Sequence, residues 1–219
     1  MKDILVSGAN RGIGLELCRQ LAARGDRVVG VCRRSSEALS GIGVDVIDGI
    51  DVTDPSSIRH LADRLGDKSV DWLINNAGVL GRDSLDELDF EEIEWQFRVN
   101  SIGPLRLTQA LLPMLKPGSS VGIVTSRMGS IGDNTSGGYY GYRMSKAAVN
   151  MAGASLARDL ASRNIAVALL HPGMVATEMT GGNGVPVEHA AQGLIARMDE
   201  LDMESSGSFW HAEGQNLPW

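Results

Sequence analysis

Cysteine is scarce: Cys18 and Cys32 are the only two. Neither stands at metal-ligand spacing and two residues make no disulfide framework, so zinc-ribbon, thiol-redox and disulfide-scaffold classes fall away. No block of lysine or arginine occurs and the formal net charge is -7, which disfavours a nucleic-acid or anionic-membrane partner. No apolar run approaches the roughly 18 residues that a bilayer span needs. The opening M-K-D-I-L-V-S-G runs straight into a strand-like segment and lacks a signal-peptide pattern. Internal repeats and low-complexity stretches are missing too. A soluble, cytoplasmic protein is the expectation.

What is present is enough apolar residue for a full core: 219 residues, 43% hydrophobic, fit one domain over 1–219. The apolar run Ile4-Leu5-Val6 stops at Ser7-Gly8, where G-A-N-R-G-I-G opens a helical pattern that ends at Gly25. Val28–Cys32 follows as a second strand, giving a compact βαβ unit. The glycine loop at its centre lets backbone approach a pyrophosphate, and the helix start offers free N–H groups to the anion. Further strands are predicted at Val44–Ile47, Val70–Ile74, Val121–Val124, Ile165–Leu170 and Ser208–His211. Helices are predicted from Pro55 to near Gly66, through Phe97–Leu115 with a kink at Gly103-Pro104, and over Tyr139–Arg163 and Val187–Leu201. The acidic stretch Asp83–Glu94 reads as a solvated helix face without chemistry, Asp89-x-x-Glu92 resembles a capping box, and the helix runs on from there through Phe97. Strands alternating with helices predict an α/β fold, a Rossmann-type doubly wound parallel sheet of about seven strands with helices on both faces. In such sheets ligands bind at the carboxyl ends of the strands. Gly8, Asn75, Ser126 and Pro172 all follow strand ends.

The stretch Thr125–Lys146 carries the chemistry. Tyr142 and Lys146, four apart, share one helix face, and a neighbouring ammonium favours phenolate. Ser126, at a strand end, adds a hydroxyl able to polarise a substrate oxygen. Together they make a proton-transfer set for carbonyl chemistry.

With S-G-A-N-R-G-I-G at 7–14, N-N-A-G at 75–78, Ser126, Y-R-M-S-K at 142–146 and P-G-M-V-A-T at 172–177 in this order, the chain resembles the short-chain dehydrogenase/reductase family over essentially its whole length. S-R-M-G-S-I, G-G-Y-Y-G-Y-R-M-S-K and the final L-P-W resemble the subgroup of the C-factor signalling protein and the sniffer-type carbonyl reductases. The resemblance implies that Tyr142 exchanges a proton with the substrate oxygen and that Ser126 hydrogen-bonds that oxygen. It makes Lys146 lower the phenol's pKa and bind the nicotinamide ribose, and has Asn100 hold a water linking Lys146 to solvent. It makes Gly8, Asn10, Arg11, Gly12, Ile13 and Gly14 the cofactor cradle. Asn76, Ala77 and Gly78 would border the adenosine half, Asp51 and Val52 the adenine, and Pro172, Gly173, Val175 and Thr177 the nicotinamide. Tyr142 and Lys146 count as cofactor contacts as well.

Strand two ends in C-R-R rather than in an acid. Arg33 and Arg34, with Arg11 in the glycine loop, suit a phosphate dianion, so NADP(H) is favoured over NAD(H). The loop between Ser126 and Tyr142 is longer than usual in the family and leaves Ser130 as a second hydroxyl; Tyr139 and Tyr140 either line the pocket or pack at the helix start. The expected activity is an NADP-dependent carbonyl reductase or alcohol dehydrogenase acting on a small-molecule carbonyl or alcohol. The alternative is a cofactor-binding signalling or sensor protein of the same fold. Family members pair through the helices corresponding to 97–115 and 139–163, which implies a homodimer or homotetramer.

Overall fold

The computed structural model describes all 219 residues. Seven strands form one sheet: β1 (Asp3–Ser7), β2 (Arg27–Val31), β3 (Asp45–Ile47), β4 (Val70–Asn75), β5 (Leu115–Val124), β6 (Ala166–His171) and β7 (Phe209–His211). Their order is β3-β2-β1-β4-β5-β6-β7 and every pairing is parallel. The order reverses beside β1, and the cleft at its carboxyl end is where such sheets bind ligands. The Rossmann-type doubly wound sheet expected from the strand–helix alternation is the fold observed.

Two cores cover the two faces. One joins Leu5, Leu73, Val121 and Val167 to α3 (Pro55–Leu65), α5 (Gly103–Leu111) and α6 (Tyr140–Ala161). The other joins Ile4, Val6, Trp72 and Leu170 to α1 (Gly12–Ala23) and α7 (Val187–Glu200). Alternation along each strand feeds both, which is why the strand runs are apolar throughout. The short helix α2 (Glu37–Ser40) is capped by the Ser36 hydroxyl, and Asp54 caps α3 at Ser56 and Ser57. Cys18 and Cys32 are buried and unpaired, and burial pushes the Cys18 thiol up to about 12.

Two boundaries differ from expectation. The helix predicted to run on from the acidic stretch does so, as α4 (Phe90–Phe97) capped by Asp89, but it widens into a π-helical turn over Arg98–Ile102 before α5. The Gly103 N–H donates to the Arg98 carbonyl five residues back, and Pro104 has no N–H to offer Asn100. The wider turn resolves both constraints where a simple kink was expected. Strand β5 begins at Leu115, not at Val121. Leu115 pairs with Val70, the register then shifts, and the Ser119 hydroxyl donates to the Val70 carbonyl at 2.7 Å. Lys116-Pro117-Gly118 is therefore an irregular strand start rather than a terminator. At the far edge the tail turns back along β7, the Leu217 N–H donating to the Phe209 carbonyl at 2.8 Å, with Trp219 on Phe209 at 5.5 Å between ring centroids. No helix is long and apolar enough to cross a membrane.

Candidate active site

A cavity of about 1370 Å³ opens along the carboxyl ends of the strands. Of the residues singled out by sequence, Gly8, Asn10, Arg11, Gly12, Ile13, Arg33, Asp51, Val52, Asn76, Ala77 and Gly78 line one end. Ser126, Tyr142, Lys146, Pro172, Gly173, Val175 and Thr177 line the other. Gly14, Arg34 and Asn100 do not line it. Arg34 is exposed away from it, whereas Gly14 and Asn100 are buried behind its wall.

The glycine loop is shaped by close approach. Gly8 takes φ +67°, and a Cβ there would lie 2.8 Å from Ala77 Cα. At Gly14 a Cβ would lie 2.2 Å from the Gly8 carbonyl oxygen, so only glycine lets α1 start against the end of β1. The Ser7 hydroxyl accepts from Asn76 N at 3.1 Å and Ala77 N at 3.2 Å, and Asn76 Nδ2 donates to the carbonyls of Ser7 and Gly8. The N-N-A-G turn is thus the brace of the glycine loop as well as part of the cavity wall. The start of α1 has no capping side chain, so its free N–H groups face the loop. This uncapped helix start, with Gly8 before it and Gly12 at its head both at positive φ, fits the pyrophosphate of a dinucleotide. Arg11 meets Glu178 across the mouth as an ion pair.

At the other end, Ser126 closes β5. Its hydroxyl accepts from Met128 N at 3.1 Å and stands near the Tyr142 phenol. The alternative hydroxyl, Ser130, is buried off the cavity and holds the turn at Asp133. Tyr139 lines the cavity and Tyr140 does not. Lys146 donates to the Val124 carbonyl at 3.0 Å and sits 5.7 Å from the centre of the Tyr142 ring. Burial lowers its ammonium to about 8. Burial also raises the Tyr142 phenol, with the Ser126 hydroxyl nearby pulling the other way. This departs from the expected lowering by Lys146. The ammonium is turned to a carbonyl and lies over the ring rather than at the hydroxyl, so desolvation dominates in the free chain.

Asn100 sits in the π-helical turn. Its Oδ1 accepts from Val79 N, and its Nδ2 donates to the Val79 carbonyl and to the Ser145 hydroxyl, all at 2.9–3.0 Å. It ties the exit of β4 to the helix bearing Tyr142. Asn100 Oδ1 and Lys146 Nζ both flank Gly78, 3.3 and 3.6 Å from where a Cβ would stand.

Three features escaped the sequence. Asp83, read as part of a solvated acidic face, caps α6: its carboxylate accepts from the N–H groups of Tyr140 and Gly141, and its carbonyl from Tyr139 N at 2.9 Å. Tyr139 enters the helix at φ +52°, a strained turn that this cap holds. Asp83→Ala is expected to cost about 1–2 kcal/mol, as loss of an N-cap does. In a chain of this size that lowers Tm by roughly 2–8 °C, and kcat falls with it because Tyr142 lies in the first turn; an unchanged melt rules the cap out. The second feature is a histidine pair. His171 and His211 both line the cavity and meet edge to face at 5.0 Å. Burial, then His211, drives His171 down to about 3, so it stays neutral. The third is the loop Thr180–Pro186, whose glycine-rich composition suggests a mobile flap where the structure has a pinned one. Backbone bonds from Ala176 N to the Val185 carbonyl and from Val185 N to the Met174 carbonyl pin it to the cavity rim. Nothing local could have marked a cap 57 residues ahead of its helix, and nothing local could have paired the histidines.

A seven-stranded parallel sheet of this order, with its cavity at the strand ends, is the architecture of the Rossmann-fold oxidoreductases. The profile described as short chain dehydrogenase matches residues 2–185, and the chain belongs to the short-chain dehydrogenase/reductase family. It is 45% identical, over the full length of both chains, to 1-hydroxy-2-glutathionyl-2-methyl-3-butene dehydrogenase of Rhodococcus sp. (strain AD45). It is 43% identical to C-signal of Myxococcus xanthus, over 74% of this chain and all of that one. Among solved structures, NADPH-bound carbonyl reductase from chicken fatty liver superposes with a TM-score of 0.91 at 30% identity, covering 100% of this chain and 99% of the other. The carbonyl reductase Sniffer of D. melanogaster superposes at 0.92 with 27% identity over both chains entirely. The affinity to the C-factor and sniffer subgroup expected from the loop motifs is therefore observed.

Proposed function

We propose that this oxidoreductase is an NADP(H)-dependent carbonyl reductase, and an alcohol dehydrogenase in reverse. The observation that carries the reading is the continuity of the cavity: the glycine loop and Arg33 at one end, Ser126, Tyr142 and Lys146 at the other. When bound, the nicotinamide dinucleotide supplies or accepts the hydride. Gly8 through Ile13 and the start of α1 would hold its pyrophosphate, Asp51 and Val52 its adenine end, and Pro172, Gly173, Val175 and Thr177 its nicotinamide end.

The chain's own residues then position and exchange the proton. Ser126 donates to the substrate oxygen and fixes it beside Tyr142. Tyr142, kept protonated by burial, gives its proton to that oxygen in reduction and takes it back in oxidation. The Lys146 ammonium offsets the charge left on the phenol, and Asn100 holds the surrounding turn. A sensor reading leaves this end of the cavity without a task, which disfavours it. The apolar residues left exposed on the 97–115 and 140–161 helices, Ile102, Leu105, Met144 and Met151, support self-association into a dimer or tetramer; light scattering decides it.

Thermal stabilisation by NADPH and NADH, followed by a carbonyl panel, tests the whole reading. NADPH is expected to stabilise selectively, and failure of both nucleotides to bind would sink it. Arg33→Ala is expected to remove a charge-assisted contact of about 1.5–3 kcal/mol, raising KM for NADPH roughly tenfold or more and leaving KM for NADH nearly unchanged. Parallel losses for both nucleotides would deny Arg33 a phosphate partner.

A further inference from the structure

The cavity is much more positive than the chain that forms it. The chain carries a formal charge of -7, yet six cations line the cavity, Arg11, Arg33, Arg82, Arg127, Arg143 and Lys146, against only Asp51 and Glu178. Arg33 and Arg11 stand at the dinucleotide end, Arg11 already paired with Glu178. Three arginines remain on the lining, each next in sequence to a residue of the site or of its support. Arg127 directly follows Ser126 and Arg143 directly follows Tyr142. Arg82 directly precedes Asp83, which caps the helix of Tyr142.

These guanidiniums are poorly neutralised. Arg127 has Asp133 at 3.0 Å. Arg82 and Arg143 take part in no ion pair. Arg143 is held by neutral acceptors only: the carbonyls of Gly137, Gly138 and Met128 and the Ser136 hydroxyl, at 2.9–3.3 Å. A guanidinium braced in this way keeps its full charge and has little freedom left to lose on binding. Arg82 is exposed at the rim with no hydrogen-bond partner. Two guanidiniums without a carboxylate, on the lining of a cavity that holds six cations against two acids, can receive an anion.

We propose that the substrate is an anionic carbonyl compound or alcohol, its reacting carbon joined to a carboxylate or phosphate that Arg82 and Arg143 receive while Arg127 adds to the field. This rests on the reductase reading and names its substrate class. The dinucleotide's own phosphates do not answer these arginines, because the pyrophosphate belongs at the start of α1 and the ribose phosphate at Arg33, the opposite end of the cavity.

Steady-state kinetics with NADPH and three para-substituted benzaldehydes test the idea: 4-formylbenzoate, 4-formylphenyl phosphate and methyl 4-formylbenzoate. The neutral ester withdraws electrons most strongly, so intrinsic reactivity favours it and any preference for an anion comes from the protein. The expected result is kcat/KM for at least one anionic aldehyde about tenfold above the ester, shrinking as salt is raised. The larger of the two anionic responses says which oxyanion the site takes. Arg82→Ala should bring the anion-to-ester ratio close to one and Arg82→Glu below one, chiefly through KM. Equal kcat/KM for all three aldehydes, or a ratio that neither variant moves, overturns the inference while turnover of the ester keeps the reductase reading standing. Turnover of none of the three removes that reading and this one together.

Discussion

Tyr142→Phe is expected to lower kcat by about a thousandfold, within the roughly 10²–10⁴ range that a positioned general acid contributes, while NADPH still raises the melting temperature. Phe keeps the ring that lines the cavity and removes only the hydroxyl near Ser126. Retained binding with lost turnover separates proton transfer from nucleotide recognition. A variant that reduces aldehydes at the wild-type rate would take the proton from Tyr142 and give it to water or to another group. The pH profile carries the same assignment. The phenol is raised above its ordinary value, so it stays protonated through neutral pH and does not limit reduction there. Lys146, lowered to about 8, loses its charge first, and with it the cation that steadies the phenolate being formed. Reduction should therefore run level below about pH 8 and decline above it, and Lys146→Met should flatten that decline at a lower plateau.

Gly14→Ala is the second large effect, this time on the scaffold. The new Cβ would stand 2.2 Å from the Gly8 carbonyl oxygen and 2.5 Å from Asn76 Nδ2. Backbone is on the receiving side, so no rotamer relieves the clash; α1 has to retreat from β1. Overpacking of this kind costs about 3 kcal/mol, which lowers Tm by roughly 6–12 °C in a chain of this size. The displaced helix start also takes its free N–H groups out of position, so NADPH should no longer stabilise the variant. A melt matching wild type, with NADPH still stabilising, would mean that the glycine loop has slack the contacts do not show.

Much of the scaffold was legible because its signals are local. Apolar runs ending in glycine, asparagine or serine mark β1, β4 and β5, and helical spacing marks α1, α3 and α6. The two misread boundaries are places where distant partners decide. Leu115 becomes strand because Val70 lies beside it, and Arg98–Ile102 widens because Pro104 and Gly103 must both be accommodated in a buried helix. At the site, motif order pointed to the cavity, and most of the residues chosen do line it. What stayed hidden was every contact made across the chain. Asp83 reaches a helix that starts 57 residues later, and His171 meets His211 over a similar gap. The burial that raises Tyr142, and the carbonyl that draws Lys146 aside, are likewise properties of the packed state. The arginines at 82, 127 and 143 are unremarkable in sequence and become a set only around one opening.

The strand order also has a consequence in time. β1 leaves the ribosome first and ends in the interior of the sheet, flanked by β2 and β4. Once residues 1–47 have emerged, β3, β2 and β1 can join, but the open side of β1 stays unsatisfied until β4 arrives at Val70–Asn75. After that, β5, β6 and β7 each add to the outermost strand in the order of synthesis, and no later strand has to be threaded between earlier ones. Nascent chains are thus most vulnerable to sticking together in the interval before β4, when a parallel edge and the first-made part of each core are bare. Stalling synthesis there, rather than after β6, is where a chaperone would be needed most.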